Sequence, residues 1–217
     1  APPLIISMAR SKTALRQLAL YEQQGGRIIW NSPNALLANT RVEQVKRFMT
    51  SEIPSPPTEI IANPHATTLQ FPIWVKSGGG DAEQETDVRY FATHAELLLA
   101  DFPSTTPYVV SEHVAGDLVK FYGVAGTPFF YVYYPTNFSK FGLEKYNGKP
   151  QGYSFDRIAL QQIATKAAAF CGFKLYGGDC IVRPDGSFAL IDFNDFPSFA
   201  PCANEVAQAL TTLILQS

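Results

Sequence analysis

One stretch constrains the chain more than any other: LYGGDCIVRPDGSFALIDFNDFP, residues 175–197. Two apolar runs flank Pro184-Asp185-Gly186, a turn signal with a mechanism, because Pro presets φ and Gly admits the positive φ that a tight reversal needs. A β-hairpin is therefore predicted. Side chains alternate along a strand, so Phe188, Leu190, Asp192 and Asn194 are expected on one face, and Ala189, Ile191 and Phe193 on the other. A two- or four-residue loop places Asp179 opposite Asp192, with Cβ atoms about 5 Å apart. A three-residue loop places Asp179 opposite Ile191 instead. Two carboxylates side by side destabilise a sheet, whereas a divalent cation between them reverses the sign. Asp, Asp and Asn oxygens suit Mg²⁺. The bland alternative is that Asp192 and Asn194 cap a turn before Pro197, with Asp179 starting a surface strand.

The rest of the chain reads as mixed α and β. LIISMA (4–9) is predicted as a short buried strand. Residues 11–26 form a helix with Ser11 as cap and Gly25-Gly26 as stop, and RIIW (27–30) is a second strand. Together they make one β-α-β unit, too small to stand alone. A helix from about Thr40 carries Arg41, Val45 and Phe48. SEIPSPPTEIIANP holds four prolines in 14 residues, which forbids a regular helix or central strand there and marks a domain boundary. Strands follow at 71–76, 87–92 and 108–114, with a helix at 93–101. Beyond them come two strands in a meander, LVKFYGVAG and TPFFYVYYP. A helix spans 154–172, capped by Ser154, with a stripe of Ile158, Ala159, Ile163 and Ala167. A last helix runs over about 203–215.

Composition excludes some partners. The 217 residues are 46% hydrophobic and 17% charged, as in a folded domain, and the formal charge of −2 gives no global field for nucleic acid or anionic membrane. No apolar run approaches the roughly 18 residues that cross a bilayer. Three cysteines, Cys171, Cys180 and Cys202, match neither a disulfide framework nor a CxxC site and fit a reducing, cytoplasmic compartment.

KSGGGDAEQETD (76–87) follows a strand. Gly78, Gly79 and Gly80 let backbone N–H groups curl around an anion, and Lys76 supplies a point charge. The spacing is neither GxxxxGK[ST] nor GxGxxG, and a plain surface hairpin is the competing reading. YVVSEHVAGD is an apolar strand that breaks into polar residues and offers backbone donors and acceptors to a ligand edge. His113 has no triad partner, because Ser111 lies on a strand.

The order of these signals resembles the ATP-grasp superfamily: Arg41 in a helix, a Pro-rich crossing, Lys76 before glycines, YVVSEHVAGD, Lys120, then LYGGDCIVRPDGSFALIDFNDFP. The resemblance covers about residues 27–215. It implies an α+β, ATP-grasp fold, two α+β lobes clamping ATP, preceded by a reduced β-α-β N-terminal unit. The division is residues 1–57, then 58–115 as the first lobe and 116–217 as the second. Arg41 and Lys76 then match phosphate-contacting residues, and Ser77 to Gly80 match the flap over those phosphates. Glu112, His113 and Val114 match the adenine hinge, and Asp117 a ribose contact. Lys120 matches a basic residue near the γ-phosphate and acceptor, and Asp179, Asp192 and Asn194 match Mg²⁺ ligands. The implied activity is ATP-dependent ligation of a carboxylate to an amine or thiol through an acyl-phosphate, with a small-molecule acceptor. The Asp-x-Asn motif is similar to that of inositol phosphate kinases, which keeps a hydroxyl kinase open; Lys120, Lys140, Lys145, Lys149 and Arg157 would supply its cationic acceptor pocket. A non-catalytic nucleotide-binding module is the third reading. Oligomeric state is not legible.

Overall fold

The computed structural model describes residues 3–79, 87–103, 105–135 and 142–215. At the N-terminus β1 (Leu4–Ile6) and β2 (Arg27–Ile29) pair in parallel around α1 (Lys12–Gln23), with Leu4 opposite Arg27. The Ser11 hydroxyl accepts from Ala14 N, and Gly25 takes φ +86°, as the sequence predicts. β1 is not buried: Leu4 and Ile6 are exposed, because two strands and one helix lack the layers to cover both faces. α2 (Pro33–Ala38) is a helix not predicted from the sequence; Pro33 sits in its first turn, where a missing N–H costs nothing. α3 (Arg41–Met49) starts at Thr40, whose hydroxyl caps Glu43 N.

The Pro-rich crossing leads into the first lobe. β3 (Thr58–Ile61), β4 (Ile73–Ser77), β5 (Val88–Phe91) and β6 (Tyr108–Glu112) form an antiparallel sheet in the order β3-β6-β4-β5. β3, which follows the prolines, is an edge strand, the place where proline's missing donor is tolerated. α4 (His94–Leu98) drops Leu97 into a core with Ile73, Val75, Phe91 and Val110.

The second lobe is the antiparallel sheet β10-β9-β7-β8, made from β7 (Asp117–Val124), β8 (Phe130–Tyr133), β9 (Leu175–Val182) and β10 (Phe188–Asn194). α5 (Arg157–Cys171) backs it with Leu160, Ala164, Ala167, Ala168 and Cys171. This stripe differs from the predicted one, since Ile158 is exposed. The cap also differs: Asp156, not Ser154, accepts from Ile158 N and Ala159 N, and a carboxylate complements the helix dipole better. Gly172 ends α5 at φ +68°. α6 (Ala203–Leu215) closes the chain. All three cysteines are buried and unpaired, and no helix among the described residues is long and apolar enough to cross a membrane.

The hairpin resolves its register in an unexpected way. Arg183 N donates to Ser187 O and Gly186 N to Arg183 O, which makes a three-residue loop over 184–186. Near the turn the pairs are Phe188 with Val182, Ala189 with Ile181 and Leu190 with Cys180. A β-bulge then lies between Leu190 and Asp192, and Asp192 pairs with Asp179 after all. The bulge flips the alternation. Phe188, Leu190 and Phe193 pack on the α5 side, while Ala189, Ile191, Asp192 and Asn194 face the other lobe. The expected sharing of a face by Leu190 and Asp192 is thereby corrected.

Candidate active site between the lobes

The face of the second sheet that looks away from α5 carries one polar row. Lys120, Asp179 and Asp192 are direct neighbours across β7, β9 and β10. Lys120 Nζ donates to both Asp179 oxygens, at 3.1 and 2.9 Å. Asn194 Nδ2 lies 3.2 Å from Asp192 Oδ2. From the first lobe, Lys76 Nζ donates to Ile191 O at 2.6 Å and stands 4.0 Å from Asp192 Oδ1. The carbonyl that receives Lys76 is therefore that of the bulge residue, so the irregularity that corrects the register also ties the two lobes together. Arg41, the first residue of α3, donates to Ser77 O at the base of the glycine loop.

Glycines shape this face. A Cβ on Gly178 would lie 2.4 Å from Asp192 O, and one on Gly177 would lie 2.7 Å from both Tyr122 Cδ1 and Pro197 Cγ. In the glycine loop after β4, a Cβ on Gly78 would meet Pro107 O at 2.1 Å, so close backbone packing alone demands glycine there. Gly79 has nothing nearer than 3.5 Å, and Gly80 lies outside the described residues.

Burial and charge pull the two carboxylates apart. Burial pushes the Asp179 carboxyl up, and the Asp192 charge adds to that against the pull of Lys120. Burial also pushes Asp192 up, but Lys76, Arg41 and the Asn194 amide outweigh it and hold that carboxyl low. Burial lowers Lys76 despite its acidic neighbours. The donor set fits a hard divalent cation: two opposed carboxylates and a carboxamide on one face. Among the described residues no three His, Cys, Asp or Glu converge, so the third oxygen would come from Asn194.

The row forms one end of a cleft of about 370 Å³ lined by Arg41, Lys76, Lys120, Asp179, Asp192 and Asn194. The other end is apolar, with Val114, Leu118, Ile181 and Ile191 beside the 112–114 segment. There Glu112 N donates to Pro57 O, His113 N to Pro72 O, and Val114 O accepts from Asn147 Nδ2. Val114 N–H has no partner among the described residues. Trp74 Nε1 donates to His113 Nδ1 at 3.1 Å, which needs that nitrogen unprotonated; burial lowers the His113 pKa accordingly. Tyr90 of the first lobe stacks on Tyr146 of the second, 4.1 Å between centroids.

The structure thus brings Arg41, Lys76, Glu112, His113, Val114, Lys120, Asp179, Asp192 and Asn194 into one cleft. It does not bring Asp117 there. Asp117, the first residue of β7, is buried, and its carboxylate accepts from Gln151 N, Gly152 N and Tyr153 N at 2.7, 2.7 and 2.9 Å. The expected ribose contact is corrected to a loop clamp, because those donors take up the oxygens. Sequence reasoning missed Asn147, whose amide braces Val114 and Gly116, and Asn31. Asn31 donates to Leu175 O and Asp195 O and accepts from Lys174 N and Leu175 N, fixing the chain just past Asn194. Its position at the carboxyl end of a parallel strand was a signal that could have pointed to it.

No protein-family model and no curated protein sequence matches the chain. Solved structures do. A D-alanine–D-alanine ligase from Bacillus anthracis complexed with ATP superposes at TM-score 0.67 and 13% identity, over 98% of this chain and 78% of that one. An N5-carboxyaminoimidazole synthase from Aspergillus clavatus, in complex with ADP and 5-aminoimidazole ribonucleotide, gives 0.64 and 15%, over 89% and 53%. The ATP-grasp ligase PsnB, complexed with precursor peptide PsnA2 and AMPPNP, gives 0.61 and 16%, over 98% and 78%. The chain spans about half the length of that synthase and 78% of each of the two ligases. Two antiparallel four-stranded lobes facing each other across this cleft, with these likenesses, give the chain the ATP-grasp fold.

Proposed function

We propose that the chain binds MgATP between its lobes and transfers the γ-phosphoryl group to a carboxylate, as a carboxylate–amine or carboxylate–thiol ligase. The observation that carries this is the cross-strand row Lys120–Asp179–Asp192, with Asn194 beside it and Lys76 facing it, at the far end of a cleft from a hinge with an open Val114 N–H. Adenine would accept from Val114 N–H over the apolar floor. Arg41, Lys76 and Lys120 would hold phosphoryl oxygens. Asp179, Asp192 and Asn194 would hold Mg²⁺, which when bound neutralises charge on the phosphates.

A carboxylate oxygen attacks the γ-phosphorus and ADP leaves. The amine or thiol then attacks the acyl carbon, phosphate leaves, and the nucleophile gives up its proton. No protein nucleophile is required, and catalysis is positioning plus charge stabilisation. The ligase names of two structural neighbours support this chemistry over a kinase. The kinase's proposed cationic pocket finds little support. Arg157 donates to Phe130 O, Lys145 lies over the Tyr146 ring, Lys149 is exposed, and of the described members only Lys120 lines the cleft. Lys140 lies outside the described residues.

Calorimetric titration of ATP with and without Mg²⁺ tests the nucleotide half. Saturable, Mg²⁺-dependent binding is expected; no binding under either condition refutes it.

A further inference from the structure

We infer that the acceptor end of the cleft is a tyrosine-lined subsite, formed by Tyr122, Tyr131 and Tyr133, that takes the flat ring of an aromatic carboxylic acid. This rests on the ligase reading above.

The cleft-facing side of the second sheet is ordered along β7. Leu118 and Ile181 form the apolar floor by the hinge, and Lys120, Asp179 and Asp192 form the polar row. The next row holds Tyr122, Gly177 and Asn194. β8 sets Tyr133 opposite Lys120 and Tyr131 opposite Tyr122, on the same face. A reactant attacking the γ-phosphorus in line from the side away from adenine would lie over these rings. Tyr122 lines the cleft with Pro197 and Ser198, and Tyr131 and Tyr133 keep part of their surface open.

The rings form one cluster. Tyr122 and Tyr131 are within 13° of parallel at 6.5 Å, Tyr131 and Tyr133 are 5.7 Å apart, and Tyr122 meets Phe199 edge-on at 5.5 Å. Tyr122 is held rigidly, because it closes over Gly177, where a Cβ would strike it. Its hydroxyl lies 2.8 Å from that of Tyr133, and burial and this bond push the Tyr122 pKa up, so Tyr122 keeps its proton. In an O–H···O–H pair one hydroxyl donates inward and one proton remains to donate outward. Tyr122 itself is buried, at 7% exposure, so the subsite presents the half-buried rings of Tyr131 and Tyr133 and an outward hydroxyl proton beside Lys120. That chemistry suits a planar apolar body carrying one carboxylate. It does not suit a polyphosphate or a second carboxylate, which call for converging guanidinium or ammonium groups.

The test uses the full chain with saturating MgATP and hydroxylamine. Each turnover converts ATP, an acid and hydroxylamine to a hydroxamate, ADP and phosphate. Benzoate and phenylacetate are compared with succinate, and inositol hexakisphosphate is followed by ADP release. The aromatic acids should give kcat/KM at least about tenfold above succinate. Tyr133→Ser and Tyr131→Ser should each reduce that ratio several-fold while calorimetric MgATP affinity is kept, which also certifies folding. Preference for succinate, turnover of the inositol phosphate, or an unchanged ratio in both variants would overturn the inference. MgATP binding with no aromatic acid consumed would overturn it and leave nucleotide binding standing. Absence of MgATP binding would bring down the ligase reading itself.

Discussion

Replacing Asp117 separates two roles that a carboxylate at this point of the chain could play. In the structure it is 2% exposed and accepts three backbone N–H bonds from residues 151–153, all within 2.9 Å. Hydrogen bonds to a charged group contribute about 1.5–3 kcal/mol each, but three sharing one carboxylate are not additive. Asp117→Ala would also orphan the three donors in a partly buried loop. A loss of about 3–5 kcal/mol is expected, which for a chain of this size lowers Tm by about 6–20 °C. Asp117→Asn keeps one acceptor oxygen, so it should lose less, about 2–3 kcal/mol, because its amide would face an N–H donor. Urea unfolding with an unchanged slope gives the difference. Adenosine and ATP affinities, measured well below the lowered Tm, should change together and little. A stability change under about 1 kcal/mol, accompanied by a large loss of adenosine affinity, would refute the clamp and restore a ribose contact.

Other perturbations test the site from different sides. Lys76→Ala should weaken ATP at least about tenfold more than adenosine if the phosphates lie, as proposed, against Lys76 beside Asp192; equal losses would mean that it does not touch phosphate. Gly178→Ala puts a Cβ 2.4 Å from Asp192 O and should destabilise by at least about 1–3 kcal/mol, with weakened Mg²⁺ dependence of ATP binding; a neutral outcome by thermal unfolding contradicts the close β9–β10 approach. His113 has its pKa lowered by burial, so the unfolded chain takes up a proton first as pH falls. Its contribution is complete above about 6.5 and is lost as pH drops through 6.5 toward the lower folded value. Tm should therefore fall between pH 7.5 and 5.5 by more in the parent than in His113→Asn; parallel Tm profiles would count against it.

Much of the site was legible because local chemistry and order along the chain agree. Pro184-Asp185-Gly186 announced the hairpin, and Lys76, Lys120, Asp179 and Asp192, distant in sequence, line one cleft. The register shows where such reading ends. The loop is the three-residue form that, on regular alternation, separates Asp179 from Asp192, and only the bulge at Ile191 reunites them. A bulge is set by what approaches the strand edge, here Lys76 on Ile191 O and Pro54 O on Leu190 N, and no local residue pattern encodes those contacts. Asp117 misled for a related reason. An acidic residue just past a hinge has the same appearance whether it faces a ligand or a distant loop, and residues 151–153 lie far along the chain. Ile158 and Ser154 were misplaced because an alanine-rich helix leaves its apolar face and its first residue ambiguous.

The most direct test of the nucleotide and metal assignment is the ATP affinity of Asp192→Asn, titrated with and without Mg²⁺ against the parent chain. The parent is expected to bind ATP more tightly with Mg²⁺, and the variant, still folded by its thermal transition, to lose that enhancement. An undiminished Mg²⁺ enhancement in Asp192→Asn would contradict the assignment.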